Sequence, residues 1–100
     1  MTFDDYQTAA ARTINRSLSP ADRLLDAAAG LAEEAGEVLG IVRKQRTQNR
    51  SMDAARLREE LGDALWCLTI TARSAGLTLD EVAAANVEKL KARFPNGFSR

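Results

Sequence analysis

Two short acidic motifs are the part of this sequence best suited to chemistry. The segment GLAEEAGEVLG contains Glu33, Glu34 and Glu37, and the segment REELGDAL contains Glu60 and Asp63. Carboxylates three positions apart share one face of an α-helix. If both segments are helical, each helix presents an acid pair at positions i and i+3. Four carboxylates that converge in a partly buried place repel one another strongly unless a cation compensates their charge.

The residue types indicate which cation fits. The chain has no histidine and a single cysteine, Cys67. Zinc, copper and Glu-x-x-His di-iron sites therefore lack their usual ligands, and Ser-His and Cys-His nucleophile pairs are excluded. Ligands that are all oxygen suit Mg²⁺, with Mn²⁺ as a possible substitute. The predicted metal ligands come from two helices and are Glu34, Glu37, Glu60 and Asp63.

A plainer interpretation is that these acids are solvated surface charges, with or without ion pairs to cations such as Arg56 or Lys44. Glutamate is mostly exposed in proteins. Two observations count against this interpretation. Glycine and apolar residues flank both acid pairs, and each glycine inside a helix costs about 1 kcal/mol relative to alanine. Local rules broken in this way are typical of functional sites, where glycine lets a backbone or a ligand come close.

Four helices are predicted to position these acids in one domain that covers residues 1–100. β-branched residues never alternate with a period of two, so strands are not expected. Capping residues mark the helix starts, and polar or glycine-containing segments mark the ends. The predicted N-caps are Thr2, Ser19, Ser51 or Asp53, and Thr78, and the predicted ends lie near Ser17, Arg46, Ser74 and Pro95. The sequence therefore predicts an all-α fold, an antiparallel four-helix bundle.

The second helix carries an apolar stripe that we expect to face the core. On a helical wheel, Glu34 lies about 90° and Glu37 about 150° from the centre of this stripe. Gly30 and Ile41 share the side of the acids, so that side is not purely polar. The stripe consists of Leu24, Ala28, Leu31, Ala35, Val38, Leu39 and Val42.

The third helix is apolar on two nearly opposite faces. Leu61 and Leu65 belong to one face, and Trp66 and Ile70 belong to the other. A helix that is apolar on two faces is buried on both, so we expect one face to pack within the chain and the other against a second copy in a two-fold dimer. Trp66 has a second interpretation, as a platform on which a nucleobase stacks.

The fourth helix carries candidate substrate-binding residues. Asn86 falls within its apolar stripe, and Lys89 and Arg93 lie on the same side. Asn86 either fixes the register of a buried helix or donates a hydrogen bond to a metal ligand or a phosphate. Arg93 either binds phosphate as a planar fork or is a solvated cation near a helix C-terminus, and Lys89 offers a point charge.

These motifs, in this order and spacing, resemble the MazG-like branch of the all-α nucleoside triphosphate pyrophosphohydrolases. The family pattern is E-E-x-x-E, a variable loop, E-x-x-D, and then an Asn and a Lys on the last helix. The residues that match it here are Glu33, Glu34, Glu37, Glu60, Asp63, Asn86 and Lys89.

The resemblance implies a fold, an assembly and a reaction. The fold is a four-helix bundle completed by dimerisation, as a homodimer or a dimer of dimers. The reaction is Mg²⁺-dependent hydrolysis of a nucleoside triphosphate to the monophosphate and pyrophosphate, and its expected purpose is nucleotide-pool sanitation. The four predicted metal ligands coincide with the family's ligands. Glu33 is then the candidate catalytic residue, either deprotonating the attacking water or holding a second metal, unless it simply faces solvent.

Composition bounds the other possibilities. The chain has 14 basic and 14 acidic residues, which favours neither a nucleic-acid nor a membrane partner. One cysteine and no secretory segment indicate a cytoplasmic protein. Two alternatives remain, a non-catalytic nucleotide-sensing module and a purely structural helical interaction module. Thermal stabilisation by Mg²⁺ would exclude the structural module, and pyrophosphate release would exclude the sensing module.

Overall fold

The computed structural model describes residues 1–98 of the chain, which contain four α-helices. Helix α1 covers Phe3–Ala11, α2 covers Pro20–Thr47, α3 covers Ala54–Ser74 and α4 covers Leu79–Arg93. The predicted all-α, four-helix fold is confirmed. No helix within these residues combines the length and the apolar character needed to cross a membrane.

The helices begin at capping residues. Thr2 and Asp5 form a complete capping box, in which each side chain accepts a hydrogen bond from the other's backbone amide. Asp53, and not Ser51, caps α3. Such caps satisfy amides that the first helical turn leaves without partners. After α3, Gly76 adopts a φ of 79°, the left-handed conformation that glycine takes at helix ends.

Helix α1 is shorter than the sequence predicted, because it ends at Ala11 rather than near Ser17. The side chain of Asn15 accepts hydrogen bonds from the amide and the hydroxyl of Ser17. Local bonds of this kind offer the backbone an alternative to the helix. Residues 12–18 therefore form turns that lead into α2.

Helices α2 and α3 form an antiparallel hairpin with a heptad-like seam. Buried and half-buried positions recur at alternating intervals of three and four residues, as in a coiled coil. The positions that follow this pattern are Leu24, Ala27, Leu31, Glu34, Val38, Ile41 and Gln45 on α2, and Leu57, Glu60, Ala64, Cys67, Thr71 and Ser74 on α3. Glu34 and Glu60 thus occupy positions that normally hold apolar side chains.

This seam corrects the predicted core face of α2. Ala28, Ala35, Leu39 and Val42 are exposed, although the wheel assigned them to the core stripe. A period of 3.6 residues drifts by about 20° per heptad relative to a seam with a period of 3.5. The inward side of α2 is therefore rotated toward the acids, and part of the apolar stripe faces outward.

The core of the single chain is small and lies under α1. Ala10, Ala27 and Ile70 are buried there, and Trp66 packs against them. The indole Nε1 of Trp66 donates a 2.8 Å hydrogen bond to the hydroxyl of Thr13. Trp66 therefore belongs to the face of α3 that packs within the chain, and this contact supports the core interpretation over a base-stacking platform.

Helix α4 is anchored at its start and extends away from the hairpin. The amide of Leu79 donates a 2.6 Å hydrogen bond to the side chain of Gln7 on α1. Helix α4 packs on α1 and α3, and not on α2. Val87 and Leu90, in its second half, remain 47% and 45% exposed. The second half of α4 therefore keeps much of its apolar surface in contact with solvent.

The chain exposes more surface than a compact monomer of its mass. Its accessible surface is 7532 Å², whereas about 5,600 Å² is typical for a folded monomer of this mass. Its radius of gyration is 16.2 Å, compared with about 13 Å for a globular domain of this length. Leu61, from the second apolar face of α3, is 51% exposed. One chain alone therefore leaves apolar surface that a partner can cover.

Gly30→Ala is expected to destabilise the hairpin although alanine is the better helix former. A Cβ at position 30 would lie 2.9 Å from Sγ of Cys67, which is too close for a normal contact. A Cβ at Gly36 would meet nothing within 4 Å. Gly36→Ala is therefore the matched control and should stabilise the chain by up to about 1 kcal/mol. Thermal unfolding of both variants measures the difference.

The contact with Cys67 is tested by the double variant. Cys67→Ala removes the sulfur atom that blocks the new Cβ, so combining it with Gly30→Ala should recover stability relative to the sum of the two single changes. Equal stabilisation by Gly30→Ala and Gly36→Ala would show that close approach at the seam does not require glycine.

Candidate metal centre

Three carboxylates converge on the α2–α3 seam. One carboxylate oxygen from each of Glu34, Glu60 and Asp63 lies within 4.8 Å of the others. Glu60 and Asp63 are three residues apart and share the face of α3 that meets α2. Glu34 and Glu60 are half-buried, whereas Asp63 is exposed. The group, called the carboxylate trio below, is therefore held by two helices and open to solvent on one side.

Among the described residues, no cationic side chain forms an ion pair with the carboxylate trio. Within residues 1–98 the ion pair joins Lys91 to Glu88 on α4, so the alternative in which Arg56 or Lys44 pairs with the acids is wrong. Oε2 of Glu34 is buried and has no hydrogen-bond partner, although buried polar atoms almost always have one. A carboxylate set with a buried oxygen that lacks a partner fits a hard, oxygen-liganded cation.

The pKa of Glu34 shows that the ionised form of the carboxylate trio is disfavoured without a cation. The pKa of Glu34 is raised from 4.5 to about 7. The largest cause is its contact with Glu60, in which the two carboxyl groups can share a proton, followed by burial and by the nearby negative charges. Since like charges disfavour the ionised form, a proton partly occupies the trio at neutral pH. A divalent cation would displace that proton.

The other two acids of α2 lie at the margin of the trio. Glu33 is exposed, and its charge contributes to the raised pKa of Glu34. Glu37 is also exposed, and it does not belong to the group of oxygens within 4.8 Å. In the antiparallel register that sets Gly30 against Cys67 and Glu34 near Asp63, Glu37 lies opposite Glu60.

The candidate residues of α4 are not brought to the trio within one chain. Asn86, Lys89 and Arg93 are all exposed. Helix α4 does not contact α2, which supplies one of the three carboxylates. Asn86 is thus not a buried register-fixing residue in the single chain.

The structure adds neighbours that the sequence did not indicate. Tyr6 on α1 lies close enough to Asp63 and Cys67 that burial and their charges raise the pKa of its hydroxyl. Burial, followed by nearby carboxylates that include Asp26, raises the pKa of the Cys67 thiol. Cys67 therefore stays protonated and serves in packing. Tyr6 and Asp63, like Asp26 and Cys67, are far apart in the chain, so no local pattern predicts their proximity.

Residues 24–98 match the family model of the MazG nucleotide pyrophosphohydrolase domain. The matched segment contains the seam of α2 and α3, the carboxylate trio and α4. The chain belongs to the MazG nucleotide pyrophosphohydrolase domain family. Comparison of the whole chain with curated proteins and with solved structures found no match. Helix α1 precedes the matched segment, yet it packs on α3 and brings Tyr6 to the side of the MazG domain that holds Asp63.

The stability of the metal-free MazG domain is expected to fall as pH rises through about 7. The folded-state pKa of Glu34 is raised from 4.5 to about 7. The stabilisation by protonated Glu34 is therefore fully present below the unfolded-state pKa, and it is lost as pH rises through the folded-state pKa. Mg²⁺ needs the ionised carboxylate, so stabilisation by Mg²⁺ should grow between about pH 5 and pH 8. Thermal melts with Mg²⁺ and with a chelator measure this growth.

Glu34→Gln provides the control for this pH dependence. It removes the titrating group and should flatten both the fall in metal-free stability and the growth of the Mg²⁺ effect. Glu59→Gln removes an exposed acid of α3 outside the trio and should leave both intact. A Mg²⁺ shift that is unchanged from low to high pH would contradict metal binding at Glu34.

Proposed function

We propose that this MazG domain hydrolyses nucleoside triphosphates to nucleoside monophosphate and pyrophosphate, with Mg²⁺, or Mn²⁺ as a substitute, held by the carboxylate trio. The observation that carries the proposal is the convergence of Glu34, Glu60 and Asp63, without an ion-pair partner among residues 1–98, inside the segment that matches the family model. Removal of non-canonical or damaged nucleotides from the nucleotide pool is the proposed purpose.

The reaction is a displacement at the α-phosphorus. The oxygen of a water molecule bonds to the α-phosphorus, its proton passes to a base, and the bond to the bridging oxygen breaks. The electron pair of that bond leaves with pyrophosphate. When bound, Mg²⁺ neutralises phosphate charge and lowers the pKa of water.

The acidic side chains of α2 and α3 have different proposed roles in this reaction. Glu34, Glu60 and Asp63 hold the cation, and the exposure of Asp63 leaves the trio open toward the substrate. Glu33 is exposed beside the trio, where it can accept the proton of the attacking water. Glu37 lies one turn further along α2 than Glu33, and we propose that it joins the ligands when phosphate and cation are bound.

A second copy of the chain completes the domain in this proposal. The outward face of α3, represented by Leu61, and the second half of α4 remain exposed in one chain. A two-fold contact that covers them would bury the excess apolar surface. It would also let α4 of the second copy bring Asn86, Lys89 and Arg93 toward the substrate. We propose a homodimer or a dimer of dimers on this basis.

The remaining proposals concern substrate class and location. The balanced charge of the chain suits a small nucleotide rather than a nucleic acid, since nucleic-acid binding usually requires a basic surface. A reducing cytoplasm suits Cys67, the single cysteine of the sequence, which is buried. The domain would therefore act on free nucleoside triphosphates of the cytoplasm.

The proposed activity is tested by pyrophosphate release from a panel of canonical and modified nucleoside triphosphates. We expect at least one substrate to yield pyrophosphate and monophosphate in Mg²⁺, and none to be hydrolysed in a chelator. Asp63→Asn, purified in the same way, controls for contaminating enzymes. Stabilisation by Mg²⁺ with no hydrolysis of any nucleotide would favour the non-catalytic nucleotide-sensing module instead.

A further inference from the structure

A cationic cavity lies on the same α2–α3 seam as the carboxylate trio, near the loop that joins the two helices. It has a volume of about 160 Å³, and its lining includes Lys44, Arg50 and Arg56. Ile41, which is 7% exposed, contributes apolar surface. Asp53 is the acid in the lining, and its Oδ1 accepts a hydrogen bond from the backbone amide of Arg56. Three cationic side chains and one carboxylate line this cavity, which is therefore electropositive and is called the basic cavity below.

The end of α2 positions Arg50 in this lining. Asn49 has a φ of 49°, a left-handed conformation that Asn tolerates and that commonly ends helices. The amide of Arg50 then donates a 3.3 Å hydrogen bond to the carbonyl of Gln45. This turn reverses the chain over the last turn of α2. Arg50 is thereby returned to the side of Lys44 before α3 begins.

No carboxylate of the described residues lies in salt-bridge contact with the cations of the basic cavity. Within residues 1–98, none of Lys44, Arg50 and Arg56 forms an ion pair. Cations gathered in one place repel one another, and a bound anion relieves that repulsion. Arginine and lysine in a small cavity with side-chain donors are typical of phosphate binding. The cavity therefore has the chemistry of an anion site.

The basic cavity and the trio are neighbours along the seam. Arg56 precedes Glu60 by four residues, which is about 6 Å along a helix axis. Ile41 follows Glu34 by seven residues, which is about 10 Å. The antiparallel register sets Ile41 opposite Arg56, as their shared cavity shows. A polyphosphate chain held at the trio can therefore extend along the seam into the basic cavity.

We propose that the basic cavity receives the β- and γ-phosphates of the nucleoside triphosphate whose α-phosphate lies at the carboxylate trio. This rests on the proposed function. It fixes the direction of the substrate: the leaving pyrophosphate points toward the α2–α3 loop, and the nucleoside points toward Tyr6 and the α1 end of the seam. Lys44 and Arg56 then neutralise charge that grows on pyrophosphate as the bond to the α-phosphorus breaks.

The first test measures binding of inorganic pyrophosphate by calorimetry in the absence of metal and nucleotide. Lys44→Gln and Arg56→Gln should each weaken binding roughly tenfold, as expected for loss of one charge-assisted hydrogen bond. Arg46→Gln and Arg58→Gln are matched controls, because they remove the same charge from the same two helices outside the cavity lining. Equal effects from all four variants, or no effect, would overturn the assignment.

The second test separates the cavity from the rest of the active site. With a nucleoside triphosphate substrate and saturating Mg²⁺, Lys44→Gln and Arg56→Gln should lower kcat/KM roughly tenfold or more. Inhibition by the monophosphate product should not change, since that product carries no phosphate into the cavity. Equal weakening of monophosphate and triphosphate would contradict the assignment.

The two tests also distinguish failure of this inference from failure of the proposed function. Pyrophosphate binding that depends on Lys44 and Arg56, in a chain that hydrolyses no nucleotide, would refute the proposed function and retain an anion site. Normal hydrolysis by Lys44→Gln and Arg56→Gln, with unchanged pyrophosphate binding, would retain the function and refute the cavity's role.

Discussion

Asp63→Asn is expected to lower turnover at least about a hundredfold while the four helices persist. Loss of a residue that only orients a metal ligand costs about 10–100-fold in affinity or activity, so loss of a charged ligand should cost at least as much. Asp63 is the exposed member of the carboxylate trio, where substrate phosphate would share the cation. Steady-state hydrolysis at subsaturating Mg²⁺ measures the loss.

The same substitution should leave the metal-free fold intact or stabilise it. Removing one of three mutually repelling carboxylates relieves the repulsion that contributes to the raised pKa of Glu34. Circular dichroism and thermal melts in a chelator therefore separate a catalytic defect from an unfolded protein. Glu59→Gln, four residues before Asp63 and outside the trio, should keep normal activity. Near-normal turnover of Asp63→Asn at subsaturating Mg²⁺ would rule out this ligand.

Trp66→Glu is expected to unfold the chain, and Leu61→Glu is expected to block its association. Trp66 packs against the small core and bonds to Thr13, so a carboxylate there costs at least about 3 kcal/mol. Leu61 is 51% exposed, so its replacement should change single-chain stability by only about 0.5 kcal/mol. Circular dichroism reports the fold of each variant, and light scattering reports its mass.

The comparison of these two variants identifies the face of α3 that meets the partner. Full helicity with a halved mass for Leu61→Glu would support a contact through the outward face. Association of Leu61→Glu equal to that of the unmutated chain would place the contact elsewhere. A well-folded monomer of the unmutated chain at micromolar concentration would argue against assembly altogether.

Local chemistry explains how much of the fold was predictable. Caps such as Thr2, Ser19 and Thr78 act within one turn of the chain, so the sequence predicts where helices begin. The predicted end of α1 is wrong because hydrogen bonds of the Asn15 side chain compete with those of the helix backbone. The predicted inward face of α2 is also wrong, because the seam with α3 follows a period near 3.5 residues and includes Glu34 itself.

The candidate site also has features that residue spacing predicts and features that it does not predict. Spacing alone predicts that Glu60 and Asp63 share a face, and the structure places Glu34 with them. Spacing does not show that α4 keeps away from α2, so the positions of Lys89 and Arg93 relative to the trio were not predictable. The sequence alone does not predict the basic cavity, because Lys44 and Arg56 meet only through the antiparallel register of the hairpin. Contacts between helices decide these features.

Hydrolysis in ¹⁸O-labelled water tests the central claim most directly, because it reports which phosphorus the water attacks. We expect the label in the nucleoside monophosphate, with unlabelled pyrophosphate as the other product, since the proposed binding mode sets the α-phosphate at the carboxylate trio and the β- and γ-phosphates in the basic cavity. Label in orthophosphate, with nucleoside diphosphate as the other product, would show that the polyphosphate binds in the opposite direction and that this chain is not a pyrophosphohydrolase.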